Sequence, residues 1–406
     1  MSYQVLSKLF YQNVGPDRFA ENEELARRRR VADSSFDLGL TCGSESLFLA
    51  NPRELSLGCE GVLRREWDVA SSYSELPHVA RRALTRNLVI NEVVCTNELE
   101  GVSSTRAQVS DALLASPHDD AHRRFRELGL LYMGLSDKGA ALPASPADVR
   151  AVYDKVMAGE ELGSSAPDGK LFRAHGVEIV GAGGRVLHEG LDGEKRIEEA
   201  ISQMLRIASC PVMPRLYGAI ASHYMFEFIH PFYDGNGRTG RYLLALYLSR
   251  VLSLETSLSL SRVIAASKGA YYRAFKEAEH PLNHGEVTDF VLCMLEYIAQ
   301  AQDLLVNEAR EAAYRLECIE TWLDGVSNKA SMSLKDVVAL RLVAQHEACD
   351  AFPRVSLDEI ESAVGASRQT ARACLSRLEM AGYVAYVSRR PLAFRLSERS
   401  RGELVL

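Results

Sequence analysis

The chain of 406 residues has no apolar run of membrane-span length, and its densest stretch, Leu243 to Leu248, is far too short. It also lacks a basic-then-apolar opening, because Met1-Ser2-Tyr3-Gln4 has neither part of a secretory signal. No Cys-x-x-Cys pair occurs. The eight cysteines (Cys42, Cys59, Cys95, Cys210, Cys293, Cys318, Cys349, Cys374) are scattered, which argues against a zinc site or a disulfide framework and suits a reducing cytosol. Positive charge is not in excess either: a net charge of −7 gives no global reason to bind nucleic acid or an anionic membrane. Any such contact must come from a local basic surface. Internal repeats and low-complexity segments are absent. What is left, with 47% hydrophobic and 25% charged residues, is the composition of an ordinary globular protein, expected to be cytoplasmic and free of membrane. Its length implies two or three domains.

Residues 1 to about 80 are mixed in pattern. Arg27-Arg28-Arg29-Arg30 follows the acidic stretch Glu21 to Glu24, which predicts a solvated helix face rather than a binding tract. Helical periodicity runs from Leu84 to Leu114 with a break near Glu100-Gly101, and returns at Arg124 to Met133 and Ala147 to Met157. The one clear β signal in the middle is Val177-Glu178-Ile179-Val180, a glycine cluster at Gly181 to Gly184, then Arg185-Val186-Leu187-His188, which reads as a hairpin. Those glycines are not a dinucleotide fingerprint, since Val186 stands where the third glycine would be. Helices are predicted at Glu194 to Ile207, Tyr217 to Ile229, Gly237 to Leu252, Ala270 to Glu279 and Val287 to Leu323. Beyond Ser327, three short helices (Leu334 to His346, Leu357 to Val364, Arg368 to Met380) precede two alternating strands, Tyr383 to Val387 and Leu392 to Leu396.

The stretch richest in chemistry is His230-Pro231-Phe232-Tyr233-Asp234-Gly235-Asn236-Gly237-Arg238-Thr239-Gly240-Arg241. Pro231 lacks an N–H and stops the preceding helix, leaving His230 at its edge. Asp234-Gly235-Asn236-Gly237 makes a tight loop whose backbone amides can approach a ligand closely. Loop amides beside a helix N-terminus favour phosphate, and Arg238 and Arg241, three apart on that helix, share a face and can clamp its oxygens. Asp234 is a hard carboxylate suited to Mg²⁺ beside those phosphates. His230 is the group nearby able to take a proton from a hydroxyl near neutral pH.

This string resembles the signature of the Fic domain family, His-Pro-Phe-x-Asp-Gly-Asn-Gly-Arg-x-x-Arg, at all nine fixed positions. The resemblance implies transfer of AMP from Mg-ATP to a Ser, Thr or Tyr hydroxyl of a protein, with pyrophosphate leaving. His230 would be the general base and Asp234 the Mg²⁺ ligand. Gly235, Asn236 and Gly237 would form the anion hole, with Arg238 and Arg241 on the phosphate tail. Thr96-Asn97-Glu98-Leu99-Glu100-Gly101 is similar to the family's inhibitory motif, Ser/Thr-x-x-x-Glu-Gly/Asn, carried on a helix N-terminal to the catalytic string. There the glutamate pairs with the second arginine, so Thr96, Glu100 and Gly101 imply a brake on Arg241. A helix end capped by Gly101 with Glu100 in solvent is the plain alternative. The same glutamate could orient a water for AMP removal.

By the same resemblance the hairpin (Val177, Glu178, Ile179, Val180, Val186, Leu187) is the flap that aligns a target strand, and Phe172-Arg173 ahead of it also resembles the family. Many members end the flap in prolines; here Val186-Leu187-His188-Glu189-Gly190 departs from that pattern. Tyr271 and Tyr272 fall where members place a tyrosine near adenine, and core packing is the alternative. His118 and His122 have metal-ligand spacing but no third ligand, and are read as non-functional.

The C-terminal stretch Phe352 to Leu406 holds nine Arg or Lys against six Asp or Glu. Helix, helix, helix, hairpin is the winged-helix order, and Ser367 is a good N-cap for the second helix of a helix-turn-helix. In a DNA-binding version Arg368, Gln369 and Arg372 would reach bases or phosphates, with Arg389-Arg390 at the wing tip; dimerisation or target docking is the other use. The expected fold is mainly α: an N-terminal helical region (1–85), a Fic helical core with its β-hairpin flap (86–326, the inhibitory helix at about 86–101) and a winged helix-turn-helix (327–406). Expected partners are ATP and a protein target, with self-modification, a homodimer and DNA left open. A rival use of the fold transfers another phosphate-bearing group, and a rival of another class is a nucleotide-sensing transcription regulator.

Overall fold

The computed structural model describes residues 3–115, 123–136, 141–180, 186–330, 332–389 and 392–404. In chain order its elements are α1 (Leu6–Gln12), α2 (Arg18–Arg30), β1 (Phe36–Cys42), β2 (Glu45–Leu49), α3 (Arg53–Ser74), α4 (His78–Leu99), α5 (Arg106–Leu114), α6 (Arg123–Gly134) and α7 (Pro146–Val156). They continue with β3 (Glu178–Val180), β4 (Val186–Glu189), α8 (Glu194–Ala208), α9 (Arg215–Ile229), α10 (Asn236–Leu248), α11 (Leu254–Ser257), α12 (Leu260–Ala266), α13 (Lys268–Ala278) and α14 (Thr288–Ala330). Last come α15 (Leu334–Cys349), β5 (Val355–Ser356), α16 (Leu357–Val364), α17 (Arg368–Met380), β6 (Val384–Arg389), β7 (Leu392–Leu396) and α18 (Glu398–Leu404). The protein is mainly helical, as the sequence predicts. No helix among the described residues is long and apolar enough to cross a membrane.

The fold divides into two compact units, residues 1–67 with 90–303, and residues 68–89 with 304–406. In the first, α9 and α10 are the centre. Every residue from Leu216 to Ile229 except Glu227 is buried, and so are all thirteen of α10. A helix sealed on all sides must be apolar or have its polar groups paired. The first solution holds for α9, rich in Tyr, Phe, Ile and Ala, while α10 carries Arg238 and Arg241 inward and needs the second. His223 of α9 lies 2.7 Å from the Tyr271 hydroxyl of α13 and, through Nδ1, 3.2 Å from the Gly240 carbonyl. That carbonyl can only accept, so Nδ1 donates and Nε2 receives the tyrosine proton.

Two expectations for the N-terminal region are corrected. It is not wholly helical, because β1 and β2 form an antiparallel hairpin. The signal was present: Phe36, Leu38, Leu40 and Cys42 alternate with more exposed residues. The arginine tract is also only half a solvated face. Arg27 and Arg28 pair with Glu24 in solvent, but Arg29 reaches buried Glu286 at 2.8 Å and Arg30 reaches Glu45 at 2.7 Å.

In the second unit, three serine N-caps (Ser333, Ser356, Ser367) start α15, α16 and α17, the second as a capping box with Glu359. Strands β5, β7 and β6 form a sheet in that order, all antiparallel, over a core that includes Leu340, Ile360, Leu375 and Phe394. The sequence reading missed β5 and α18. Asn87 ties the 68–89 segment to this unit, donating to the Cys349 carbonyl at 2.7 Å and accepting from Ala351 at 3.0 Å.

Glu286→Ala takes the carboxylate from Arg29 and leaves it the Gln4 carbonyl at 2.9 Å, and removal of one member of a buried ion pair costs about 3–5 kcal/mol. Urea unfolding should register that loss, whereas Glu24→Ala should leave the curve superimposable on the parent's.

Candidate active site

The site lies where α9 ends and α10 begins. His230 is the C-cap of α9, its N–H bonded to the Phe226 carbonyl at 3.0 Å, and it adopts a left-handed φ of 51° that costs a non-glycine residue energy. What holds it there is Arg173, fully buried. Arg173 Nε donates to the His230 carbonyl at 2.8 Å, and Nη2 donates to the carbonyls of Leu191 at 2.6 Å and Ile229 at 3.3 Å. A guanidinium on the last carbonyls of a helix also suits its dipole. The His230 Nδ1 lies 3.3 Å from the Glu227 carbonyl, an acceptor only, so in the neutral ring Nδ1 carries the proton and Nε2 the free lone pair. Burial first, then the charge of His188, pushes the His230 pKa down to about 4. The ring is therefore a neutral proton acceptor at physiological pH.

The loop that follows is braced by Asn236, whose Oδ1 accepts from the Phe232 amide at 2.9 Å and whose Nδ2 donates to the Phe232 carbonyl at 2.7 Å. Phe232 stacks on Tyr153 with 3.6 Å between ring centroids. Gly235 takes φ +79°, and a Cβ there would strike Met157. Asp234 is half exposed; its Oδ1 accepts from the Gly235 amide at 2.6 Å, and its Oδ2 lies 3.7 Å from Arg238. The first-turn amides of α10 have no carbonyl within the helix to bond.

Both arginines of α10 are already engaged. Arg241 donates through Nε to Thr96 Oγ1 at 2.8 Å, and through Nη2 to the Thr96 carbonyl at 3.1 Å and to Glu100 Oε1 at 2.7 Å. Burial works against the charge of Glu100, but Arg241, with help from Arg238 and His230, outweighs it and holds the carboxyl below its ordinary range. That carboxylate also covers the first turn of α10, where a Cβ on Gly237 would collide with Glu100 Oε1. Glu100 owes its place to the end of α4. Val102 N–H bonds the Asn97 carbonyl and Gly101 N–H the Glu98 carbonyl, with Gly101 at φ +72°, so the chain turns in a Schellman motif immediately after it. Arg238 pairs with Glu160 at 2.5 Å, nearly buried on both sides.

Other expected residues fall as follows. Of the two tyrosines expected near an adenine, Tyr271 is buried against His223 and only Tyr272 presents surface. Strand β3 begins at Glu178 rather than Val177, whose carbonyl nonetheless accepts from Gly190. The hairpin pairs Glu178 with Glu189, Ile179 with His188 and Val180 with Val186. Gly181 to Arg185, His118, His122 and Arg390 lie outside the described residues. In the second unit Arg368, Gln369 and Arg372 are exposed, and Arg368 pairs with Asp358 and, at 4.0 Å, with Glu361.

Three carboxyls around the arginines escaped the sequence reading. Glu160 lies in Gly159-Glu160-Glu161 with no motif around it. Glu227 hides one turn before His230, its Oε1 buried without a hydrogen-bond partner among the described residues, and burial pushes its pKa up to about 8 against the pull of Arg241. Glu92, buried against Ser261, is likewise raised to about 7 by burial. Helical spacing from Glu92 to Thr96 to Glu100 was the available signal for that one.

Comparison with known proteins adds the family. Residues 143–248, which include the whole string from His230 to Arg241, match the model of the Fic/DOC family. Among solved structures the chain is similar to a Fic family protein from Desulfovibrio desulfuricans G20, at 19% identity and TM-score 0.49 over 83% of this chain and 96% of that one. It is similar also to a Fic domain containing signaling protein from Bacteroides thetaiotaomicron VPI-5482, at 15% identity and TM-score 0.44 over 61% and 97%. A third is Fic-1 (residues 134–508) from C. elegans, at 19% identity and TM-score 0.42 over 64% and 73%. Residues 143–248 of this chain are thus matched as a Fic/DOC family domain, and the string from His230 to Arg241 lies within it.

Proposed function

We propose that this protein transfers AMP from Mg-ATP to a Ser, Thr or Tyr hydroxyl of a protein, and that Glu100 holds it off at rest by occupying Arg241. The observation that carries this proposal is the Glu100 carboxylate seated over the first turn of α10 and against Arg241. Helix N-terminal amides beside a buried arginine demand an anion, and a carboxylate already answers that demand. A triphosphate answers it more fully, because it offers oxygens to Arg238 and Arg241 together.

Asp234, an exposed carboxylate beside that anion site, suits Mg²⁺, which proteins commonly hold by one or two carboxylates plus substrate phosphates. The bound ion would neutralise charge on the α- and β-phosphates. His230 Nε2 then takes the hydroxyl proton as the target oxygen bonds the α-phosphorus. The bond from that phosphorus to the α,β-bridging oxygen breaks, pyrophosphate leaves, and the proton passes from His230 to solvent. The two-stranded β3–β4 hairpin leaves an edge for a target strand to pair by main-chain bonds, which explains why side chains of the flap need not encode the target. With Glu100 orienting a water instead, the same site would support removal of AMP.

The second unit we read as a winged helix that docks protein. The contact of Arg368 with Asp358 and Glu361 favours that use over DNA, since it spends the leading basic residue on neighbouring carboxylates. A gel shift that weakens steeply with salt would overturn it.

Incubation of Glu100→Gly with α- and γ-labelled Mg-ATP in parallel should retain label from the α position only, with a gain of one AMP in intact mass. The rate should exceed the parent's by roughly 5- to 150-fold, the range of ordinary coupling energies. Label from γ alone would mean phosphorylation, and none from either would favour a nucleotide-sensing regulator.

In the Glu100→Gly background, His230→Ala should cost roughly 10²- to 10⁴-fold in rate, the usual worth of a general base. With the His230 pKa near 4, the rate should rise with pH through about 4 and stay flat from about 6 to 8. A rate that climbs tenfold per unit through pH 7 would mean that another group is the base.

A further inference from the structure

Strand β4 carries a histidine for which the proposed chemistry has no direct use. His188 Nδ1 lies 2.9 Å from Glu279 Oε2, and its Nε2 lies 2.8 Å from the Phe228 carbonyl. Both partners are acceptors, so both ring nitrogens must donate, and only an imidazolium has two N–H groups. The side chain is nearly buried, and its ring centroid is 6.2 Å from that of His230. Its hydrogen bonds reach the last turn of α9 and the residue after α13.

We propose that His188 is a positioning residue kept as an imidazolium, which staples the hairpin to the ends of α9 and α13 and sets a fixed positive charge beside His230 that disfavours protonation of the base. The proposal borrows from the AMP-transfer mechanism only the role of His230; the charge state belongs to the resting protein. The charged and titratable groups around the pair agree with it. Burial works against the charge of His188, but Glu279, the Phe228 carbonyl and Glu227 outweigh it and hold its pKa above the ordinary value. On His230, burial acts first and His188 next, joined by Arg173 and opposed by the Glu227 carbonyl and by Glu100. A unit charge about 6 Å away, at an effective dielectric constant near 20, moves a pKa by about one to two units.

The sequence offers a reason for this device. The flap here reads Val186-Leu187-His188-Glu189-Gly190, without the prolines that stiffen a strand by fixing φ. Two charge-assisted hydrogen bonds from one side chain fix the strand in another way.

The test uses the full-length protein with ¹⁵N-labelled histidine and two-bond ¹H–¹⁵N spectra from pH 4 to 9. At pH 7.5 both His188 nitrogens should appear protonated while His230 is neutral with its proton on Nδ1. In Glu279→Gln, which keeps the His188 ring and its packing, His188 should become neutral near pH 7.5. His188→Asn, which removes the charge at every pH, should raise the His230 midpoint by about one to two units. If His188→Asn fails to fold, judged by far-UV circular dichroism, the charge states of His188 in the parent and in Glu279→Gln decide. A neutral His188 at pH 7.5 in the parent, a His188 still charged there in Glu279→Gln, or an unmoved His230 midpoint in folded His188→Asn, would overturn the proposal. In the Glu100→Gly background the acid limb of AMP transfer should shift to higher pH by the same amount, and an equal loss at every pH would mark a merely structural role. Should Glu100→Gly transfer no AMP, the spectra still decide, so the two proposals fail separately.

Discussion

Arg241 is a permanent cation with its side chain only 3% exposed, in a helix buried on every face, and the site is built around that charge. An arginine cannot shed its proton to escape the cost of burial, so the surroundings must compensate. They do so with Thr96 through two oxygens and with Glu100 through one. Two further carboxyls lie within electrostatic reach, but burial raises Glu227 to about 8 and Glu92 to about 7. Glu100 is thus the one of the three held below its ordinary pKa and fully charged at neutral pH, and the arginine's compensation hangs on it. Under the proposed mechanism, an outside anion would reach Arg241 only by displacing that carboxylate.

Glu100 is also in an electrostatically divided position. It sits at the C-terminal end of α4, where the helix dipole disfavours negative charge, and over the N-terminal turn of α10, where the dipole favours it. The Schellman turn at Gly101 and the hold of Lys268 on the Leu99 carbonyl at 2.9 Å fix the backbone end of the latch. That end is also packed: Thr96 is fully buried, and Asn97 and Leu99 are nearly so.

How much of this was legible in the sequence depends on how local each interaction is. The string from His230 to Arg241 was readable because proline, glycine and a helix start act over a few residues. Part of the second unit was readable for the same reason: Ser367 caps the helix it was expected to cap, and α15, α16, α17, β6 and β7 fall within a few residues of their predicted bounds, whereas β5, α18 and the share of residues 68–89 in this unit were not foreseen. The β1–β2 hairpin was missed although Phe36, Leu38 and Leu40 alternate, because Gly39, at φ +64° where the register shifts, interrupts the pattern. Arg29, Glu160 and His188 could not be resolved at all. Each finds its partner across scores of residues, Arg29 at Glu286, Glu160 at Arg238, His188 at Glu279, and no spacing rule encodes such pairs.

Those distant pairs bear on how the site would cycle under the proposed mechanism. ATP must draw Arg241 from Glu100 and Arg238 from Glu160, two carboxylates on separate segments, and only a ligand with several phosphates can do both at once. Transfer of AMP removes the β- and γ-phosphates as pyrophosphate. Once that product leaves, the anion that held Arg241 is gone, and a buried arginine without a partner is costly. Glu100 is the nearest replacement. Turnover itself would therefore favour return of the latch, so the resting state is a consequence of the chemistry as well as a barrier before it.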